Sequence, residues 1–151
     1  GEWGGIGWYN DSKATTPHAA AVAIRALDDI VLIAGGQDKG VDLGEMASDV
    51  GRVRAVLAIG QTRDAIAAAF SSVPVVERHD TLDDAVDRAA MLAGPGSTVL
   101  LSPGCASLDQ FRGFEERGDR FRWLVLRAHR DDDMSSIPRE DDAIQRVEET
   151  T

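Results

Sequence analysis

Three short stretches carry most of the side chains able to do chemistry: "NDSKATT" at residues 10–16, "GGQDKG" at 35–40 and "SPGCASLDQF" at 102–111. The first sets an acid (Asp11), a cation (Lys13) and three hydroxyls (Ser12, Thr15, Thr16) in one loop. The second places Lys39 among Gly35, Gly36 and Gly40, which let backbone approach a ligand closely. The third puts Ser102 and Ser107 among small residues ahead of an expected helix start, where backbone N–H groups can hold a carboxylate or phosphate. The shared chemistry is donation to a small anion. A plainer reading stays open for the first stretch, because Asn10, Asp11, Ser12 and Thr16 are also ordinary turn and cap residues. The second stretch is not a nucleotide phosphate loop, since Val41 and Asp42 follow its last glycine where Lys and Ser or Thr are required. Cys105 has no histidine nearby in sequence and reads as an inert thiol rather than a nucleophile.

The elements that must position these loops are legible from periodicity. Apolar runs at 6–9, 30–36, 55–60, 73–77 and 97–102 read as strands, and such continuous runs suit strands buried on both faces of a parallel sheet. Helical patterns lie between them. Thr16 caps a helix that starts at Pro17 and sets Ala20, Ile24 and Leu27 on one face. Asp42 and Glu45 resemble a capping pair ahead of Met46 and Val50. Thr62 is expected to cap residues 64–70, and Thr81 precedes an amphipathic run that ends at Gly94-Pro95. Asp109 precedes Phe111 and Phe114, and a further helical stretch holds Phe121, Leu124, Val125 and Ala128. This alternation predicts an α/β fold: an open, mostly parallel, Rossmann-like sheet with helices on both faces. All three chemical stretches follow strands, so a parallel sheet opens them on the same edge, where such folds gather ligands.

Composition narrows the class. The net charge is −10, and eight acids against two arginines fall in residues 131–151. The body, residues 1–130, still carries 18 acids against 14 bases and shows no basic stripe, which argues against nucleic acid as the main partner. No apolar run approaches the roughly 18 residues of a membrane span. The opening residues, "GEWGGIGWYN", show neither the basic nor the long apolar region of a secretory leader, and no initiator Met stands ahead of the first strand. A fragment or excised domain is therefore expected, with residues 1–130 as one domain and 131–151 as an acidic, mostly disordered tail. One cysteine fits a reducing cytosol, and three scattered histidines give no metal site.

"NDSKAT" (10–15), "GGQDKG" (35–40) and "LSPGCASLDQFRGFEERGDRF" (101–121) together resemble the carboxy-terminal domain of the UDP-N-acetylmuramoyl-L-alanine:D-glutamate ligases (MurD) of the Mur ligase family. The resemblance runs in order over residues 6–128. It implies a three-domain cytoplasmic enzyme of peptidoglycan synthesis that uses ATP and Mg2+. In that family the carboxylate of UDP-MurNAc-L-alanine is phosphorylated, and the amine of D-glutamate displaces phosphate. By this resemblance Thr15 and Lys39 hold one carboxylate of D-glutamate. Ser107 binds the other, with N–H groups near Leu108 and Phe114. Asp11 faces the nucleotide ribose, and Lys13 lies near the nucleotide and the acyl phosphate as the catalytic cation.

The sequence departs from the family pattern at two places: Gln37-Asp38 stands where a smaller Asp-Gly pair is common, and Gly104 replaces a common alanine. The phosphate loop, the magnesium ligands, the UDP-binding domain and the upstream His-Arg motif of the family are not in this sequence. The segment alone is thus expected not to form the peptide bond. Two alternatives remain: a related Mur-type ligase domain for another substrate, and a non-enzymatic Rossmann-like anion-binding module.

Overall fold

The computed structural model describes residues 1–135, with side chains through residue 130. The chain runs β1 (Glu2–Trp3), β2 (Ile6–Asn10), α1 (Pro17–Arg25) and β3 (Ile30–Ala34), then a 3-10 segment (Gly44–Arg52) and β4 (Val53–Ala58). It continues through α2 (Arg63–Ala69), β5 (Val75–Arg78), α3 (Leu82–Leu92), β6 (Thr98–Leu101) and α4 (Phe114–Ser135). Six strands form one sheet in the order β1-β2-β6-β3-β4-β5. Only β1 pairs antiparallel, in a short hairpin with β2; every other pairing is parallel.

Strand side chains alternate between two cores, as a sheet covered on both faces requires. Ile30, Leu32, Ala34, Val56, Ala58 and Leu100 face α1, the 3-10 segment and α2, packing on Ala20, Ile24, Met46 and Ile66. Val31, Ile33, Ala55, Leu57, Val99 and Leu101 face α3 and α4, packing on Leu82, Val86, Phe121 and Val125. Residues 30–34 are buried throughout, so the unbroken apolar run of β3 reports its central place in the sheet.

Two helix starts follow the chemistry read from sequence. Thr16 Oγ1 accepts from Ala19 N (3.3 Å) with Pro17 in the first turn, and Thr81 Oγ1 accepts from Asp84 N (3.1 Å). Two other expectations are corrected. Asp42 and Glu45 do not cap an α-helix. Residues 44–52 are 3-10, with non-helical backbone at Asp49, and Asp42 Oδ1 accepts from Gly44 N (2.8 Å) in a local turn. Glu45 pairs instead with His18 at 2.8 Å. Residues 107–111 form a single turn in which the Ser107 carbonyl accepts from both Gln110 and Phe111 N–H, and the helix begins only at Phe114. The hairpin strand β1 was not anticipated; two residues are too few to show a period. The acidic end expected for 131–151 lies largely outside the described residues: α4 runs to Ser135, and residues 136–151 are not described.

The carboxyl end of β3 needs a glycine. Gly35 has φ of +113°, and a Cβ there would sit 2.1 Å from the Ile59 carbonyl oxygen. Gly35→Ala is therefore expected to cost about 3 kcal/mol, from backbone strain plus a clash with main chain that cannot yield. Gly51→Ala, where a Cβ meets nothing within 4 Å, is expected to change stability by less than about 0.5 kcal/mol. Urea unfolding of the two variants checks the contrast.

Candidate functional site

The parallel register brings the three loops together. Asn10 and Ile33 both stand level with Leu101, so β2, β6 and β3 end side by side and their loops leave at one height. Direct bonds then join loop to loop. Asp11 N donates to the Leu101 carbonyl (2.8 Å), and Ser102 Oγ donates to Asp11 Oδ2 (2.9 Å). Gly104 N donates to the Ala14 carbonyl (2.8 Å), Gly35 N to the Pro103 carbonyl (2.9 Å) and Gln37 N to the Ala106 carbonyl (2.8 Å).

Thr62 stands at the N-cap position of α2, but its side chain belongs to this framework. Its side chain makes no capping bond to α2. Its hydroxyl accepts from Gly36 N (3.0 Å) and also contacts the Gly36 carbonyl (3.2 Å) and the Cys105 thiol (3.4 Å). The hydroxyl thereby fixes the glycine turn ahead of Lys39.

Two cavities flank the first loop. One, of about 270 Å3, is walled by Thr15, Lys39, Gln37, Thr62, Gly104 and Cys105 among others. Thr15 and Lys39, 24 positions apart in sequence, therefore meet at one site. The other is a larger, mostly apolar groove of about 720 Å3 beside α1, lined by Asp11 and Lys13 together with Tyr9, Val22, Leu27 and Leu100. Ala14 lines the groove and Thr15 the pocket, so one turn of chain separates two environments.

Ser107 is buried next to the wall residue Ala106 but is not itself part of that wall. Leu108 and Phe114 expose their side chains, and the Phe114 carbonyl accepts from Ser12 Oγ at 2.7 Å. The structure thus brings Thr15 and Lys39 together, sets Asp11 and Lys13 on a neighbouring surface, and leaves Ser107, Leu108 and Phe114 off the pocket wall.

Both departures from the family pattern acquire a physical setting. Gly104 has φ of +67°, and the Met46 sulfur occupies the place a Cβ would take, 2.4 Å from it. Gln37 lines the pocket with a buried side-chain oxygen that has no hydrogen-bond partner among the described residues.

Arg117 escaped the sequence reading altogether. It lies in "FEERGD", which looks like a solvated charge run, yet it is buried against all three loops. Nε donates to Ser12 Oγ (3.0 Å), one Nη to the Ser12 carbonyl (2.7 Å) and the other to the Cys105 carbonyl (3.0 Å). Loss of solvent pulls its pKa down to about 10, which leaves it charged at neutral pH. Gly118 beside it is needed for close approach, since a Cβ there would lie 3.2 Å from Ser12 Cβ. No sequence signal marks such an arginine; only the adjoining glycine hints at close packing.

Chemically the pocket offers a lysine, hydroxyls and main-chain groups, which suits an anion. The groove combines mostly apolar walls with one acid, Asp11, and one cation, Lys13. Among the described residues no group of three or more His, Cys, Asp or Glu is placed to hold a metal ion. No described helix is long and apolar enough to cross a membrane.

Fold and loops together define a Rossmann-like α/β domain that presents its polar groups at the carboxyl edge of the sheet. Residues 1–105 match the family model described as Mur ligase, glutamate ligase domain, and the chain belongs to that family. It is 49% identical over 123 residues to the UDP-N-acetylmuramoylalanine--D-glutamate ligase of Myxococcus xanthus, covering 80% of this chain and 27% of that protein. The proteins of the same name from Frankia casuarinae and Aquifex aeolicus are 48% and 41% identical. Those matches cover 80% and 83% of this chain, and 26% and 31% of the relatives. The chain thus spans between about a quarter and a third of the length of these relatives.

Burial is the main influence on the Cys105 thiol and raises its pKa; the Thr62 hydrogen bond opposes this only in part. A thiol kept protonated is a poor nucleophile. Reaction of the native chain with a thiol-specific disulfide reagent at pH 7.5 is expected to run at least about tenfold slower than in denaturant. Equal rates would show that the thiol is open and ionised.

Proposed function

We propose that this chain is the amino-acid-binding, carboxy-terminal domain of a cytoplasmic, ATP-dependent ligase that adds D-glutamate to UDP-MurNAc-L-alanine in peptidoglycan synthesis. The observation that carries the reading is the meeting of Thr15 and Lys39 in one pocket at the carboxyl edge of the sheet. The names of the relatives, all D-glutamate ligases, supply the substrate.

In this reading the Thr15 hydroxyl and the Lys39 ammonium donate to one carboxylate of D-glutamate, a charge-assisted pairing that fixes the amino acid by its acid end. Ser107 serves the second carboxylate, with main-chain N–H groups near Leu108 and Phe114. Ser107 is buried directly after the pocket residue Ala106. Asp11 receives a ribose hydroxyl in the apolar groove. Lys13, exposed on the same loop, offers a fixed positive charge to the nucleotide and to the acyl phosphate. Bound ATP with Mg2+ supplies the phosphoryl group that activates the acceptor carboxylate.

A nuclear magnetic resonance titration with D-glutamate and, separately, L-glutamate tests the ligand. The expected outcome is shifts centred on Thr15, Lys39 and Ser107, larger for the D isomer, with affinity of about millimolar because only part of the site is present. Lys39→Ala is expected to weaken the D-glutamate response about tenfold or more. Equal responses to both isomers would move the assignment to a relative with another substrate or to a general anion-binding module.

Catalysis is tested separately. The isolated chain is expected to release no phosphate from ATP in the presence of UDP-MurNAc-L-alanine and D-glutamate. Turnover above background would overturn the view that the remaining parts of the relatives are required.

A further inference from the structure

Among the described residues Arg117 is the only charged side chain that is buried, at 1% exposure. All three of its hydrogen bonds go to neutral oxygens, the Ser12 hydroxyl and the Ser12 and Cys105 carbonyls. No carboxylate among the described residues forms an ion pair with it; Asp109 acts on it only at longer range, and Asp109 Oδ2 already accepts from Gln61 N (3.1 Å). A charge removed from water is costly unless an opposite charge compensates it. If the need were only to tie Ser12 to Cys105, a neutral donor would serve at lower cost.

The position of the charge is informative. Cys105, whose carbonyl receives one Nη, lines the pocket that holds Thr15 and Lys39. The same Nη lies 3.3 Å from where a Cβ on Gly36 would be, directly before the pocket residue Gln37. Ser12, which takes the other two bonds, immediately precedes Lys13. The guanidinium therefore sits behind the pocket, shielded from solvent and in contact with the loops that form it.

We propose that Arg117 is a positioning and specificity-determining residue whose uncompensated charge, set behind the pocket, draws in an anionic ligand and is neutralised when that ligand's carboxylate reaches Thr15 and Lys39. This rests on the amino-acid-binding reading for the identity of the ligand, though not for its charge. Arg117 touches no ligand itself. It acts through low-dielectric protein, where a fixed charge is screened far less than an exposed lysine.

The test compares this chain with its Arg117→Lys and Arg117→Gln variants, titrated by nuclear magnetic resonance with D-glutamate and with inorganic phosphate. Melting temperature is followed in parallel. Arg117→Lys, which keeps the charge, is expected to stay within about threefold of the parent affinity. Arg117→Gln is expected to weaken both anions by about tenfold or more while amide shifts outside the three loops stay in place. Should Arg117→Gln fail to fold, Arg117→citrulline replaces it; the single cysteine at 105 permits ligation of a synthetic 105–151 segment carrying that neutral near-isostere. Neutral variants that bind both anions like the parent would overturn the proposal. So would equal losses in the Lys and neutral variants that track a fall in melting temperature, because they would mark a purely structural tie. A parent chain that binds phosphate through Arg117 but ignores D-glutamate would sink the ligand assignment and keep this inference. A parent that binds neither anion would overturn both.

Discussion

The guanidinium of Arg117 is the point on which the carboxyl edge depends. Its planar fork reaches the first loop through Ser12 and the third through Cys105, and it fits because the second loop presents Gly36 with no side chain in the way. Three of its five N–H donors are used in this way, and a lysine at the same place would keep the charge with three donors of its own. The glycines at 36 and 118 are the counterpart of that arrangement. Each keeps clear the space that the arginine and its Ser12 partner occupy.

Around that anchor the loops are rigid in different measure. Ser12 and Ala14 are buried and bonded, while Lys13 between them is exposed. The same alternation places Thr15 on the pocket side. A loop of this kind ties down its backbone at Ser12 and Ala14 and leaves the Lys13 side chain exposed. The neighbouring groove is apolar and open, a surface suited to a flat, partly apolar molecule or to another part of a longer chain.

Much of the fold was legible because the central strand β3 is an uninterrupted apolar run and helices α1 and α3 have readable caps. Thr16 with Pro17, and Thr81 with its amphipathic run, state their roles in local chemistry alone. Local reading failed where tertiary contacts took over a residue with strong local meaning. Thr62 looks like a cap, but its hydroxyl is claimed by Gly36 and Cys105. Asp109, Phe111 and Phe114 carry helical spacing, yet the turn at Ser107 closes on itself and the helix waits for Phe114. The meeting of Thr15 and Lys39 was visible as a consequence of parallel topology. The burial of Arg117 was not, because nothing in one sequence distinguishes a buried arginine on a helix from its solvated neighbours.

The sheet order has a consequence for how such a chain reaches its native state. Strand β6, next to last among the elements, lies between β2 and β3, so β2 has only the two-residue strand β1 for a partner until residues 98–101 arrive. During synthesis the β3-β4-β5 half can assemble early from near neighbours, while β2 waits with one edge unpaired. Insertion of β6 closes that gap and, in the same event, draws the first and third loops against the second. The long sequence separation of these pairings marks the step as slow relative to local helix formation. The pocket walled by Thr15, Lys39 and Cys105 is therefore among the last parts of the molecule to exist, and a nascent chain lacks it until its sheet is sealed.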